Sequence, residues 1–174
     1  MDFKTILTNE IAAAARKILL DLFANGEHYY YITLATDGLA GTPCISAWSK
    51  EALAVEYKKD AENAEMIKWS YADSPYCCWK QECFQGVSDL LRDRKTNDEN
   101  FEEEYEMRFS AMENAMKLLD EEGLFERNQD RDQVMVLVEV MPPDFTNTKR
   151  AYRMNDSSML IFRQWLAEAA EEVI

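Results

Sequence analysis

The chain has 174 residues, 47% of them apolar, with 8 Phe, 8 Tyr and 4 Trp. That length suits a single domain able to bury a core without disulfide or metal staples, and such a content of core formers excludes a disordered chain. Basic residues number 19 against 33 acidic ones, a formal charge of −14, so the basic footprint that nucleic-acid binding needs is missing.

The first residues, Met1-Asp2-Phe3-Lys4, lack a basic stretch followed by an apolar one, so no signal peptide is expected. Residues 28–49 carry one formal charge, Asp37, but Gly38, Gly41 and Pro43 break the stretch into two short strands rather than a membrane span. The four cysteines, Cys44, Cys77, Cys78 and Cys83, form no even ladder of spacings. Neighbours Cys77 and Cys78 are poorly placed to pair with each other, and reduced thiols in a cytoplasmic protein follow.

Residues 3–24 read as a helix, because Phe3, Leu7, Ile11, Ala14, Ile18 and Leu22 share one helix face, and Asn25-Gly26 stops it. Residues 28–35 are aromatic and β-branched, a strand expected at the centre of a sheet because both faces are apolar. An eight-residue loop, 36–43, is too short for a crossover helix, so strand 44–48 pairs antiparallel with the first. Ser49 caps a helix from about Lys50 that carries Leu53, Tyr57, Ala61 and Ala64 on one side. Ser74-Pro75 signals a further helix start, continued by Trp79, Cys83, Val87 and Leu90. After a polar linker at 92–97, where Thr96 and Glu99 have the spacing of a capping box, residues 98–122 form the strongest helical pattern. Its apolar stripe is Phe101, Tyr105, Met112, Met116 and Leu119, and Gly123 closes it.

Val134, Val136, Val138 and Val140 alternate as a third strand that Met141-Pro142-Pro143 ends. Residues 142–155 read as a loop. Asn155 or Asp156 then caps a last helix with Phe162, Trp165, Leu166, Ala169 and Val173 buried. The expected fold is one α+β domain, residues 1–174, with a small mostly antiparallel sheet of three or more strands packed against about five helices.

Most catalytic chemistries find no footing. Cys77, Cys78 and Cys83 lack a second Cys-x-x-Cys pair and a nearby histidine, so no metal site is expected. His28 is the single histidine, and no Gly-x-Ser-x-Gly elbow or phosphate-cradling glycine loop is present. No cofactor is expected. Asp73 and Asp144 each stand in a turn beside proline and aromatics, where they serve local turn hydrogen bonds or share one polar site. The dominant electrostatic feature is residues 98–122, where ten acidic and two basic side chains give −8. Such a run ordinarily marks a solvated face. It also suits a docking surface for a basic partner.

The strings Ile45-Ser-Ala-Trp-Ser49, Lys68-Trp-Ser-Tyr-Ala-Asp-Ser-Pro-Tyr76, Leu118-Leu-Asp-Glu-Glu-Gly-Leu-Phe125 and Val138-Glu-Val-Met-Pro-Pro-Asp-Phe-Thr-Asn-Thr148 resemble a bacterial family of about this length that is described as a domain of unknown function. The resemblance spans nearly the whole chain. It implies no activity, cofactor or catalytic residue. By analogy with small acidic domains in toxin-linked neighbourhoods, it implies an immunity protein.

Three functional expectations follow. The first is a non-enzymatic, cytoplasmic binding protein of immunity type. It would occupy the active groove of a basic, nuclease-like toxin domain, with Glu99, Glu102, Glu103 and Glu106 steering the encounter and with no nucleic-acid or membrane partner. The second is an enzyme or small-ligand protein with a site near Trp48, Trp69, Tyr71, Asp73, Asp144 and Asn147. A scaffold subunit with a large exposed apolar patch is a third reading.

Overall fold

A computed structural model describes residues 2–94 and 96–172. The elements follow in chain order: α1 (Phe3–Phe23), β1 (Tyr29–Asp37), β2 (Cys44–Ser49), α2 (Lys50–Lys59), α3 (Ala61–Ile67), α4 (Gln85–Arg92), α5 (Phe101–Glu121), β3 (Met135–Met141), α6 (Phe145–Met154) and α7 (Leu160–Glu168). The fold is α+β, as expected, and β1 is central in the order β2-β1-β3.

Two parts of the expectation need correction. The sheet is not mostly antiparallel: β1 pairs antiparallel with β2 but parallel with β3. The long, largely helical stretch between β2 and β3 leaves the direction of β3 free, since a parallel pair needs only a crossover connection of a dozen residues or more. The described residues also hold seven α-helices rather than five. One extra helix arises at Asp60, which ends α2 and caps α3 by accepting from Glu62 N at 3.0 Å and Asn63 N at 3.1 Å. The other is α6, in the stretch read as a loop.

Several stops and caps fall where expected. Gly26 and Gly123 have φ of +81° and +69° after α1 and α5, a backbone that glycine adopts without a Cβ clash. Ser49 Oγ accepts from Ala52 N at 2.9 Å at the start of α2. The segment after Pro75 is different. Cys78 and Lys80 take left-handed φ of +48° and +47°, which a continuous helix cannot hold. A short 3-10 turn, Gln81–Phe84, leads into α4 instead. The Thr96 and Glu99 box is replaced by an asparagine turn, in which Asn97 N donates to Asn100 Oδ1 at 2.8 Å. Val173 lies outside the described residues.

One sheet face, with Ile32, Leu34, Ile45, Val136 and Val138, packs against α1 and α5 in the main core. The two helices meet through small and large apolar residues, Ala15 and Ile18 from one and Met112 and Ala115 from the other, all fully buried. Each fully buried Leu or Ile contributes about 2 kcal/mol. The other face carries Tyr30, Tyr31, Trp48, Met135 and Leu137 under Trp69 and the α7 residues Phe162 and Trp165. A register shift between Tyr29 and Tyr31 lets consecutive tyrosines 30 and 31 join the same cluster, as a bulge does.

Both sheet edges are covered, which blunts edge-to-edge association. Residues 70–81 lie along β2: Trp48 Nε1 donates to Ser70 O at 2.8 Å, Ser46 Oγ to Tyr71 O at 2.6 Å, and Trp79 N to Ile45 O at 3.0 Å. Helix α6 lies along β3. Asn147 accepts from Val140 N at 2.7 Å and donates to Val140 O at 3.1 Å. Arg150 Nε donates to Val138 O at 3.0 Å, and Asn155 accepts from Val136 N at 3.1 Å and donates to Val136 O at 2.8 Å. These side chains supply the pairing that a fourth strand would supply.

Candidate functional site

Helix α5 sorts its acids by direction. Glu104 faces inward, 5% exposed. Its carboxylate binds the Arg94 guanidinium, with Nε to Oε2 at 2.9 Å, and lies 3.6 Å from Arg108 Nη2. Arg94 beside it holds the Glu104 carboxyl below the usual carboxylate range, assisted by Arg108. Further along, Glu113 pairs with Arg153 at 2.6 Å, Asp120 with Arg131 at 2.8 Å, and Glu122 with Arg16 at 2.7 Å. The remaining side chains at this end differ. Asp98, Glu99, Glu102, Glu103 and Glu106 are exposed, and no ion pair to them occurs among the described residues. The four glutamates expected to steer a partner therefore sit together at the start of α5, with their charge facing water.

A second polar region lies at the end of the sheet where β1 and β3 finish. A cavity of about 330 Å³ is lined there by Thr36, Asp37, Cys44, Tyr71, Cys78 and Gln81 among others. A neighbouring one of about 390 Å³ shares Asp37 and reaches Asn97, Asp98, Phe101 and Arg108 at the foot of α5. Arg108 is 6% exposed, and its Nε and Nη2 have no hydrogen-bond partner among the described residues. On β3, Glu139 is buried and accepts from Tyr31 Oη at 2.6 Å. Burial pushes its carboxyl above the usual range, while the Tyr31 hydrogen bond pulls the other way.

Of the six residues of the alternative pocket, Trp48, Trp69 and Tyr71 meet in one apolar cluster, whereas Asp73, Asp144 and Asn147 each make their own hydrogen bonds elsewhere. Trp48 is fully buried under the sheet. Trp69 Nε1 donates to Glu168 Oε2 at 2.7 Å and packs on Tyr30 with ring centroids 5.4 Å apart. Tyr71 lines the 330 Å³ cavity. Asp73 accepts from Ser70 Oγ at 2.6 Å within its own turn. Asp144 caps α6, accepting from Thr146 N at 2.8 Å. Asn147 is committed to the β3 edge. The single histidine, His28, is tied to Glu51, with Nδ1 to Oε1 at 2.7 Å.

Glu139, Arg108 and the proximity of Cys44 to Cys78 were not singled out from the sequence. Glu139 interrupts an otherwise apolar strand, Met-Val-Leu-Val-Glu-Val-Met, and that interruption is the signal that could have found it. No group of side chains among the described residues could hold a metal ion, and no helix there is long and apolar enough to cross a membrane.

No curated protein matches the chain, and neither does any solved structure. Residues 8–156 match a family described as a domain of unknown function, DUF4303. With most of its length covered by that match, the chain belongs to the DUF4303 family.

Proposed function

We propose that this chain is a non-enzymatic, cytoplasmic binding protein of immunity type from a bacterium. It blocks a basic, nuclease-like toxin domain by presenting the acidic start of α5. The observation that carries this reading is the separation of acids within one helix. Glu104, Glu113, Asp120 and Glu122 are spent on internal arginines, whereas Glu99, Glu102, Glu103 and Glu106 stay exposed within about two turns. Charge is felt over roughly 8 Å at physiological salt, so this local cluster matters to a partner more than the overall −14 does. A nuclease groove must be cationic to hold phosphates, and a row of exposed carboxylates competes for it. Steering of this kind acts mainly on the association rate.

The test begins with affinity capture of the tagged protein from its own cells, followed by association kinetics with the captured partner. A stoichiometric basic protein is expected, with an association rate that falls several-fold on raising salt and again in the triple variant Glu102→Gln, Glu103→Gln, Glu106→Gln. A rate indifferent to both would overturn the acidic-docking reading.

A second reading is favoured by one observation. The sheet-end cavity of about 330 Å³ is at the small end of the size range of ligand pockets, and Tyr71 lines it. Retention of a small metabolite, with no protein partner, would support a small-ligand protein instead.

A further inference from the structure

Three of the four thiols converge in space although 34 residues separate two of them in sequence. Cys78 Sγ lies 2.7 Å from Cys44 Sγ, and Cys77 Sγ lies 3.8 Å from Cys78 Sγ. Cys83 packs separately, against the main core. Cys44 is buried at the start of β2, and Cys78 is exposed. The backbone holds this arrangement from both sides. Trp79 N donates to Ile45 O at 3.0 Å and Gln81 Nε2 to Pro43 O at 3.2 Å, so the 77–81 turn straddles Cys44 along the β2 edge. Trp79 Nε1 and Lys80 Nζ both reach Asp21, at 2.9 Å and 2.5 Å. Within that clamp, Cys78 adopts φ of +48°, a conformation that costs a non-glycine residue energy and persists only where its surroundings enforce it.

We propose that Cys78 and Cys44 form a thiol–disulfide exchange site, opening into the sheet-end cavity, that takes a low-molecular-weight disulfide as its oxidant. Exposed Cys78 meets the incoming disulfide first. Its thiolate attacks one sulfur of the small disulfide, whose S–S bond breaks. The first small thiol leaves as a thiolate and takes a proton from water. Cys44, after losing its own proton to water, attacks Cys78 Sγ and expels the second small thiol. Two protein thiols are oxidised to one disulfide, and one small disulfide is reduced to two thiols, so atoms and electrons balance. The cavity lined by Cys44, Cys78, Tyr71 and Gln81 gives the oxidant room beside the reacting sulfurs. Burial and the neighbouring thiol push the Cys44 thiol well up, and burial likewise pushes Cys77 up to about 11. These shifts disfavour Cys44 and Cys77 as the first to react, because the thiolate is the nucleophile.

The site is independent of the acidic face, so its failure leaves the docking proposal intact. The test treats the reduced full chain with cystamine and reads intact mass, free thiols and the peptide map. The expected product has lost two hydrogens and two of its four thiols, with a linked peptide joining Cys44 to Cys78. Cys44→Ser is expected to stop at the mixed disulfide, heavier by one cysteamine, and Cys83→Ser to close as the native chain does. Persistence of all the thiols would overturn the proposal. So would a link from Cys78 to Cys77 or Cys83, or a mixed disulfide that the native chain fails to resolve. The native peptide map decides even if Cys44→Ser does not fold.

Discussion

The start of α5 and the end of β3 each bury a glutamate, and they do so by opposite means. Glu104 is 5% exposed and Glu139 is 6% exposed. Glu104 keeps its charge because Arg94 and Arg108 stand beside it. Glu139 has Tyr31 as its hydrogen-bond donor, and burial pushes its carboxyl up. The lesson concerns what a count of acids means. Carboxylates in this protein are structural counter-ions, buried core groups or outward charges, and only the last kind can meet a partner.

The largest expected effect lies at Glu104. Glu104→Ala removes the carboxylate beside a buried Arg108 whose Nε and Nη2 lack other partners. Stranding that charge costs about 3–5 kcal/mol, measured as a shift of the urea midpoint. An effect below about 1 kcal/mol would mean that water reaches Arg108, and the contrast with β3 would collapse.

The β3 region relies on side-chain hydrogen bonds to the strand edge rather than on ion pairs, so its weak points are different. Asn155→Ala leaves Val136 N and O without the side chain that pairs with them. The expected loss is about 2 kcal/mol, the scale of a buried unsatisfied backbone group, with no dependence on salt. Glu139→Gln should act in the other direction, since glutamine keeps an acceptor for Tyr31 without the cost of a buried charge. A gain on the order of 1 kcal/mol at neutral pH is expected, typical of single buried polar changes.

The two glutamates also give opposite pH slopes. Glu104 titrates below the ordinary carboxylate value of about 4.3 when folded. Its contribution is therefore complete above that value and is lost as pH falls through the lowered one. Glu139 titrates above its ordinary value when folded. Below the ordinary value it costs nothing, and its penalty grows as pH rises through the raised one. Denaturation series across pH should show the Glu104→Ala loss shrinking in acid, and the Glu139→Gln gain vanishing as pH falls toward 4. Parallel slopes would refute the contrast.

Much of the fold was legible where apolar spacing does the work. Helix α1, the hairpin of β1 and β2, and helix α5 bury apolar stripes of regular period, and glycines mark their ends. Helix α6 was not legible because its buried face is largely polar: Asn147, Thr148 and Arg150 beside Ala151 and Met154. Asn147 and Arg150 are buried to pair the edge of β3, a need that appears only once the sheet is assembled, while Thr148 donates to Glu171 O. Asp144 after Pro142-Pro143 was a cap signal that hydrophobic periodicity did not weigh. The exposed glutamates were legible as a charge run, but their separation from Glu104 and Glu113 was not, since it depends on where Arg94 and Arg153 come to lie. The thiol pair was hidden for the same reason: spacing along the chain carries no record of a turn folded onto a strand edge.

The smallest expected effect on stability is the one most informative about function. Changing Glu102, Glu103 and Glu106 together to Gln removes three exposed carboxylates that have no ion-pair partner among the described residues. Two opposing contributions are involved. Acids in the first turns complement the helix dipole, by about 0.3–1 kcal/mol each at low salt, and they repel one another across three or four residues by similar amounts. Near cancellation is expected, so that thermal unfolding moves by no more than about 0.5 kcal/mol equivalent. If the triple variant instead loses stability on the scale of Glu104→Ala, these side chains hold the fold and are not free to meet a partner. If stability holds while association with a basic partner slows several-fold, the outward acids are separable from the inward ones in function as they are in geometry.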